Sequence, residues 1–412
     1  MRRVVVTGIG VVSPLGSELA TFWNRLTAGE SGVGNITRFD TSAYDVKIAA
    51  EVKDFDPDPF IPKKEQRRMD LFCQYAMVAA KKAVQDSGLD LNAENPERMG
   101  VVAGSGIGGL QTLQTQFTVL RDRGPSRCSP FMIPQMISNM AAGLIGIEFN
   151  MKGPNYAVIS ACATSAHCIG DGLRLIQRGD ADVIAAGGSE ASVCELGVAG
   201  FSAMKALSTR NSEPTRASRP FDRDRDGFVM GEGAALVIIE ELEHARKRGA
   251  RIYCELAGFG MSCDAYHMTA PAEDGNGAAR AMTLAMKDAG LGPERVDYIN
   301  AHGTSTPLND KVETMAIKQA LGQEDARRVM VSSTKSMTGH ALGAAGSVES
   351  AVCALAIRDG VVPPTINYEN PDPDCDLDYV PNTAREAQVD VCLNNSLGFG
   401  GHNACLLFRK LA

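Results

Sequence analysis

Residues 158–172 read VISACATSAHCIGDG: Cys162 stands among small residues, with a histidine at 167, a second cysteine at 168 and glycines behind it. An apolar lead-in followed by Ala, Thr and Ser predicts a strand that turns sharply into a helix, with Cys162 on the turn. There the free N–H groups and partial positive charge of a helix N-terminus lower a thiol's pKa, and small neighbours let a substrate carbonyl come close. The alternative is a packed, inert thiol, the usual state of an unpaired cysteine. Features elsewhere in the chain separate the two.

An internal repeat weighs most. AVQDSGL (83–89) returns as AMKDAGL (285–291), a helix end followed by the glycine expected after its last turn. PERMGVVAGSG (96–106) returns as PERVDYINAHG (293–303), and TGIG from Thr7 resembles AGFG from Ala257. VISACATSAH (158–167) aligns with VSSTKSMTGH (331–340), which sets Cys162 opposite Lys335 and His167 opposite His340. Four matches in one order predict two similar α/β halves, 1–250 and 251–412, each with a mainly parallel sheet and its site at strand C-termini. The two sites would meet across a pseudo-twofold axis. The first half carries extra residues, largely between 110 and 155 and including RDRGPSRCSPFMIPQMISN, a prospective partner or substrate surface.

Bulk properties agree. At 412 residues the chain is long for one core, as two units require. A net charge of −8 argues against nucleic acid as a partner and leaves room for a local basic patch. No stretch approaches the ~18 apolar residues of a membrane span. The opening MRRVVVTGIGVVSPLG is broken at Thr7, Gly8 and Gly10, so it reads as a first strand and not a signal peptide. A cytoplasmic enzyme is expected. Eleven scattered cysteines without a Cys-x-x-Cys pair predict neither a disulfide framework nor a zinc site, so no metal is expected.

Six histidines can be sorted singly. His244, in EELEHARKRG, reads as a solvated helix residue; His267 and His402 fall in polar or glycine-rich loops; His167 rides on the helix behind Cys162. His302 in NAHGTSTPLND and His340 in TKSMTGHALGAAG each follow a predicted strand, among residues too small to bury a large ring by accident. NNSLGFGGHN (394–403) is a glycine loop whose N–H groups can hold an oxyanion, with Phe399 able to gate a pocket. DRDRDGFVMGEG (222–233) opens like a calcium-binding EF-hand loop but has Gly233 where the bidentate glutamate belongs, and reads as an ion-paired structural turn.

These motifs resemble the β-ketoacyl-acyl-carrier-protein synthases, closest to the bacterial type II elongating enzymes. The likeness rests on SACATS, NAHGTSTPLND, TKSMTGHALGAAGSVES, GFGGHN, GSGIGG and SCDAYHMTAP, and spans essentially the whole chain. It implies a thiolase-like fold with five αβαβα layers, a homodimer, and a catalytic set of Cys162, His302 and His340, with Lys335 ordering His340 and Glu349 near it. Thr304 and Thr306 would hold a pantetheine arm, while Ile107, Phe201 and Phe399 line or gate an acyl pocket. The chain departs from many relatives at Leu397, where phenylalanine is frequent. The expected reaction is decarboxylative condensation of malonyl carrier protein with an acyl group on Cys162, lengthening a fatty acid by two carbons. A polyketide ketosynthase is the alternative. No cofactor is expected, since the phosphopantetheine arm belongs to the carrier protein. Acyl carrier protein is acidic, so its docking calls for basic groups: Lys63, Lys64, Arg67 and Arg68 in PKKEQRRMD, and Lys205 in SAMKALSTRN, which matches a family docking position.

Overall fold

A computed structural model describes residues 1–411. Ten strands form one sheet: β1 Val4–Val12, β2 Met99–Gly104, β3 Asn155–Tyr156, β4 Val183–Glu190, β5 Gly233–Glu241, β6 Cys254–Cys263, β7 Tyr298–Asn300, β8 Met330–Ser332, β9 Val391–Gly398 and β10 His402–Arg409. Their order, β8-β7-β9-β10-β6-β1-β5-β4-β2-β3, reads the same from either end once the repeat is applied. The two halves of the sheet join where β1 meets β6, antiparallel, at Val5 opposite Glu255.

Five helices complete the layers: α1 Leu71–Ser87, α2 Thr164–Arg178, α3 Asn276–Ala289, α4 Pro307–Leu321 and α5 Ala345–Asp359. Helices α2 and α5 share one apolar core with residues of β1, β4, β5, β6, β9 and β10, so they form the middle layer between the half-sheets. Helix α1 covers the outer face of the first half-sheet, and α3 and α4 that of the second. This is the five-layer thiolase-like arrangement.

The repeat recurs in atomic detail. A Cβ on Gly10 would lie 1.9 Å from the Ala79 carbonyl oxygen of α1, and one on Gly260 would lie 2.0 Å from the Ala281 oxygen of α3. Both glycines therefore let an outer helix rest directly on its strand. Gly88 and Gly290 end α1 and α3 in the left-handed conformation, at φ 63° and 68°. Single 3-10 turns at Pro96–Arg98 and Pro293–Arg295 lead into β2 and toward β7.

The structure corrects the expected register around Cys162. Asn155 of β3 pairs with Val101, and Met330 of β8 with Tyr298, so β3 and β8 correspond. Beyond them the matching pieces are the 3-10 turns Ala161–Ala163 and Leu342–Ala344, each opened by a residue at positive φ, Ala161 at 51° and Leu342 at 46°. Each turn runs into a fifteen-residue helix, α2 or α5. Cys162 is thus opposite Gly343, not Lys335, and His167 is not the counterpart of His340. Lys335 and His340 lie on extra chain between β8 and α5, and a shared Val, Ser and His misaligned the copies because this segment has no equivalent in the first half.

The sheet also differs from the mainly parallel one expected. Strands β2, β3 and β4 are parallel, but β5 runs against both β4 and β1; in the second half β10 runs against β9 and β6. The physical reason is clear at β9–β10. A loop of three residues after Gly398 can join only antiparallel neighbours, since a parallel pair needs a long crossover. Gly400 and Gly401, at φ 90° and 74°, make that hairpin turn.

Candidate active site

The N-termini of α2 and α5 meet in the middle layer. The Ser347 N–H donates to Ser165 Oγ at 2.9 Å, and a Cβ on Gly346 would stand 2.9 Å from Ala166. This close approach brings the turn before α2, which carries Cys162, beside the turn before α5, which follows His340. No strand leads into Cys162: residues 157–160 are irregular, closed by the Ser160 N–H donating to Thr164 Oγ1 at 2.9 Å. Small side chains suit this tight turn, with Ala161 in the costly left-handed region.

Each histidine is held by its backbone. The N–H groups of His302 and Gly303 donate to the two oxygens of buried Glu313 on α4, at 2.8 and 2.7 Å. The His340 N–H donates to the Val229 carbonyl at 2.8 Å, and its own carbonyl accepts from Gly231 at 2.9 Å. His340 Nε2 lies 3.0 Å from Cys162 Sγ, and the two imidazoles stand edge to face, centroids 5.2 Å apart. One side-chain ligand atom from each of Cys162, His302 and His340 falls within 4.8 Å of the others. Lys335, buried on the turn Lys335–Thr338, is ion-paired with buried Glu349.

Burial dominates the electrostatics. It pushes the Cys162 thiol up to about 12, although the Lys335 charge and an N–H from Phe399 pull the other way. The thiol therefore rests protonated; the expectation of a thiol lowered by the helix terminus does not hold, because desolvation of a thiolate at this depth outweighs it. Burial, then the Lys335 charge, hold His302 and His340 well below the ordinary imidazole value, so both are neutral. Burial raises Glu349 to about 7 against the pull of Lys335.

A cavity of about 390 Å³ opens over these groups. Its lining includes Cys162, His302, His340, Thr304, Thr306, Phe201 and Phe399. The Thr304 and Thr306 hydroxyls are 3.0 Å apart. Gly398 sits against the Cys162 turn, where a Cβ would lie 3.2 Å from the Ala163 nitrogen, and so brings Phe399 to Cys162. Lys205 is exposed on the cavity rim. Lys63, Lys64, Arg67 and Arg68 are exposed on and just after the short helix Lys63–Gln66, outside the cavity lining; Lys63 pairs with Asp58 and Arg68 with Glu65.

Two expectations need correction. Ile107 is not among the residues lining this cavity: its N–H, with Ser105 Oγ and the Gly106 N–H, is tied to buried Glu190. His244 is not solvated; its two ring nitrogens meet Glu240 and Glu94 at 2.8 and 2.9 Å, which raises it to about 9. His167 bonds Ser160 Oγ at 2.7 Å and packs edge-on against Phe259, a structural role. The residues that motif reading missed are Glu313, Phe228 and Leu342. Of these only Glu313 left a trace, as an acidic residue one helical turn after Asp310 on a helix that directly follows His302.

Fold and site place the chain among the thiolase-like condensing enzymes. More narrowly, it belongs to the beta-ketoacyl synthase family, whose N-terminal domain matches residues 1–245 and C-terminal domain residues 253–369. It is 56% identical to the 3-oxoacyl-(acyl-carrier-protein) synthase 2 of Synechocystis, over 99% of this chain and 98% of that one. It is 54% identical to the enzyme of the same name from Coxiella burnetii, over 100% and 99%. Among solved structures, a beta-ketoacyl synthase from Burkholderia phymatum superposes with a TM-score of 0.92 at 35% identity, covering both chains fully. A type II polyketide ketosynthase, solved with its acyl carrier protein and a hexaketide, does so with 0.91 at 36%, again over both chains.

Proposed function

We propose that Cys162, His302 and His340 carry out the condensation for which the relatives are named. The chain is a condensing acyltransferase of the 3-oxoacyl-(acyl-carrier-protein) synthase 2 type, acting in fatty acid elongation. The observation that carries the residue assignment is the 3.0 Å approach of Cys162 Sγ to a neutral His340, with a second neutral imidazole at right angles, in a cavity reached past two threonine hydroxyls.

The first step is acyl transfer. As Sγ attacks the carrier thioester its proton passes to His340 Nε2 and on to the departing pantetheine sulfur, leaving His340 neutral again. The Cys162 and Phe399 N–H groups hold the tetrahedral oxyanion. Malonyl carrier protein then enters; its C–carboxylate bond breaks, carbon dioxide leaves, and the electron pair becomes an enolate. No strong base is needed for this, only donors to the thioester oxygen. Two neutral imidazoles supply them, once His340, which accepted at Nε2 as its Nδ1–H tautomer, has exchanged that proton to Nε2; neutrality is what burial and Lys335 enforce. The enolate carbon attacks the Cys162 thioester, the new C–C bond forms, and the thiolate leaves and takes up one proton from solvent, the proton that the overall reaction consumes. No step calls for a cofactor beyond the arm on the carrier.

Thr304 and Thr306 bind that arm, Phe201 and Phe399 bound the acyl site, and Lys63, Lys64, Arg67, Arg68 and Lys205 receive the acidic carrier. The acyl carrier protein bound to a structural neighbour supports this partner. We read the two halves as 1–250 and 251–412, and the protein as a cytoplasmic homodimer. Among the described residues the edge strand β3 pairs only with β2, and its Tyr156 is exposed, as is Ile147 on the helix packed beside it. No helix among the described residues is long and apolar enough to cross a membrane. A polyketide role draws on the solved neighbours at 36–39% identity, and the full-length relatives at 51–56% outweigh it.

Intact-mass measurement after incubation with acyl carrier proteins, then malonyl carrier protein, tests the reading. An acyl adduct on Cys162 that is then transferred with carbon dioxide release is expected. An unmodified enzyme, or free acid as the sole product, overturns it.

A further inference from the structure

The motif DRDRDG (222–227) looked like a structural turn, and the reaction above does not use it. Its Arg225 is almost fully buried, and its guanidinium is directed at backbone carbonyls of the cavity wall. Nε donates to the Thr306 carbonyl at 3.2 Å, and Nη2 to the Pro307 carbonyl at 3.0 Å. Nη1 binds the Asp222 carbonyl at 2.8 Å and Asp372 Oδ2 at 2.6 Å, and Asp310 stands 3.7 Å from Nε. The charge is thus neutralised from behind while the fork grips the chain in front.

The gripped segment is strained. Ser305, between the two threonines, has φ 68°, a conformation that a serine keeps only where its surroundings over-determine it. Here they do. The Arg219 N–H donates to Ser305 Oγ at 2.9 Å, and the Gly227 N–H to the Ser305 carbonyl at 3.1 Å. The strained residue sets Thr304 and Thr306 on one side, hydroxyls 3.0 Å apart, facing the cavity.

We propose that Arg225 is a positioning residue for carrier-substrate binding: it clamps Thr306 and Pro307, beside the pinned Ser305, so that the Thr304 and Thr306 hydroxyls are preset for the pantetheine arm. The inference rests on the functional reading, in which those threonines bind the arm. Arg225 touches neither substrate nor the reacting atoms, so its loss weakens binding and leaves the chemistry intact.

The test is Arg225→Lys in the full chain, which keeps the charge for Asp372 and Asp310 but cannot span two carbonyls. KM for acyl carrier protein is expected to rise about ten-fold with kcat within about two-fold. Alkylation of Cys162 by iodoacetamide, which does not use the threonines, stays within about two-fold of wild type. In a Thr304→Val/Thr306→Val background, Arg225→Lys adds less than about two-fold, because the groups it positions are gone. Unchanged KM, a fall in kcat alone, a matching fall in alkylation, or full additivity overturns the proposal. If Arg225→Lys does not fold, Asp372→Asn decides: it removes the carboxylate that holds Nη1 at 2.6 Å and so loosens the fork from the two carbonyls, so KM rises, and an unchanged KM overturns the clamp. A wild-type enzyme that takes no acyl group from the carrier overturns the functional reading and this inference together; an active wild type with an Arg225→Lys variant of equal KM overturns this inference alone.

Discussion

Cys162 is a buried thiol at about 12 next to a neutral imidazole, so its reactivity depends on the proton acceptor 3.0 Å away more than on a resting thiolate. Two measurements follow at this scale. Alkylation of Cys162 by iodoacetamide, followed by peptide mass spectrometry, should climb steadily from pH 7 to pH 10 without a plateau, and His340→Ala should slow it at neutral pH. A plateau near pH 7 would mean that the thiol is lowered after all. The second concerns Lys335, whose ion pair with Glu349 lies at 2% exposure or less for each side chain's residue. Lys335→Ala leaves a buried carboxylate unpaired, a loss of about 3–5 kcal/mol when the group is charged. Glu349 is raised to about 7 even with its lysine and goes higher without it. A carboxyl raised above its unfolded value favours folding while protonated, so that contribution is lost as pH rises. Urea denaturation should therefore find the variant closest to wild type near pH 5 and furthest from it near pH 8.5. Equal destabilisation at both would rule out the charge as the cause.

At the scale of elements, β1 with α1 and β6 with α3 are one packing solution used twice. A methyl group on Gly10 or Gly260 would meet a helix carbonyl at about the same impossible distance, 1.9 and 2.0 Å. Each helix would have to lift from its strand, which costs on the order of 3 kcal/mol in a well-packed core. Gly10→Ala and Gly260→Ala should lower stability in urea by similar amounts, whereas Gly88→Ala, where no atom lies within 4 Å, should act only through its positive φ and cost about 1 kcal/mol. Unequal losses at Gly10 and Gly260 would break the equivalence. The repeat was legible in the sequence because such glycines leave few alternatives. The register near Cys162 was not, because Ala161 and Leu342, which open the matching turns, are apolar residues of different size with nothing to mark them in a sequence; what they distinctively share is positive φ.

For the whole molecule, the contrast is between a net charge of −8 and a cluster of exposed basic groups on Lys63–Arg68. Lys64 and Arg67 have no ion-pair partner among the described residues, unlike Lys63 and Arg68. Lys64→Glu with Arg67→Glu should raise KM for acyl carrier protein by roughly ten-fold or more at low salt, with the gap narrowing at high ionic strength as charges are screened. Steady-state kinetics at two salt concentrations read this directly, and iodoacetamide alkylation of Cys162 should not change. A salt-independent effect would place the docking surface elsewhere.

Residue types and their order by themselves singled out the proposed reactive groups: Cys162, His302 and His340 stand in long, specific motifs, and the twofold repeat is written in the glycines. Tertiary structure decided what those groups are. Desolvation, which no local pattern encodes, keeps the thiol protonated and both imidazoles neutral. The meeting of α2 and α5 at Ser165 and Ser347 brings residues 178 positions apart to 3.0 Å. Ile107 fell outside the cavity and Arg225 came to hold its wall because those outcomes depend on which carbonyls and carboxylates arrive from distant segments, a property of the assembled layers and not of any one stretch of chain.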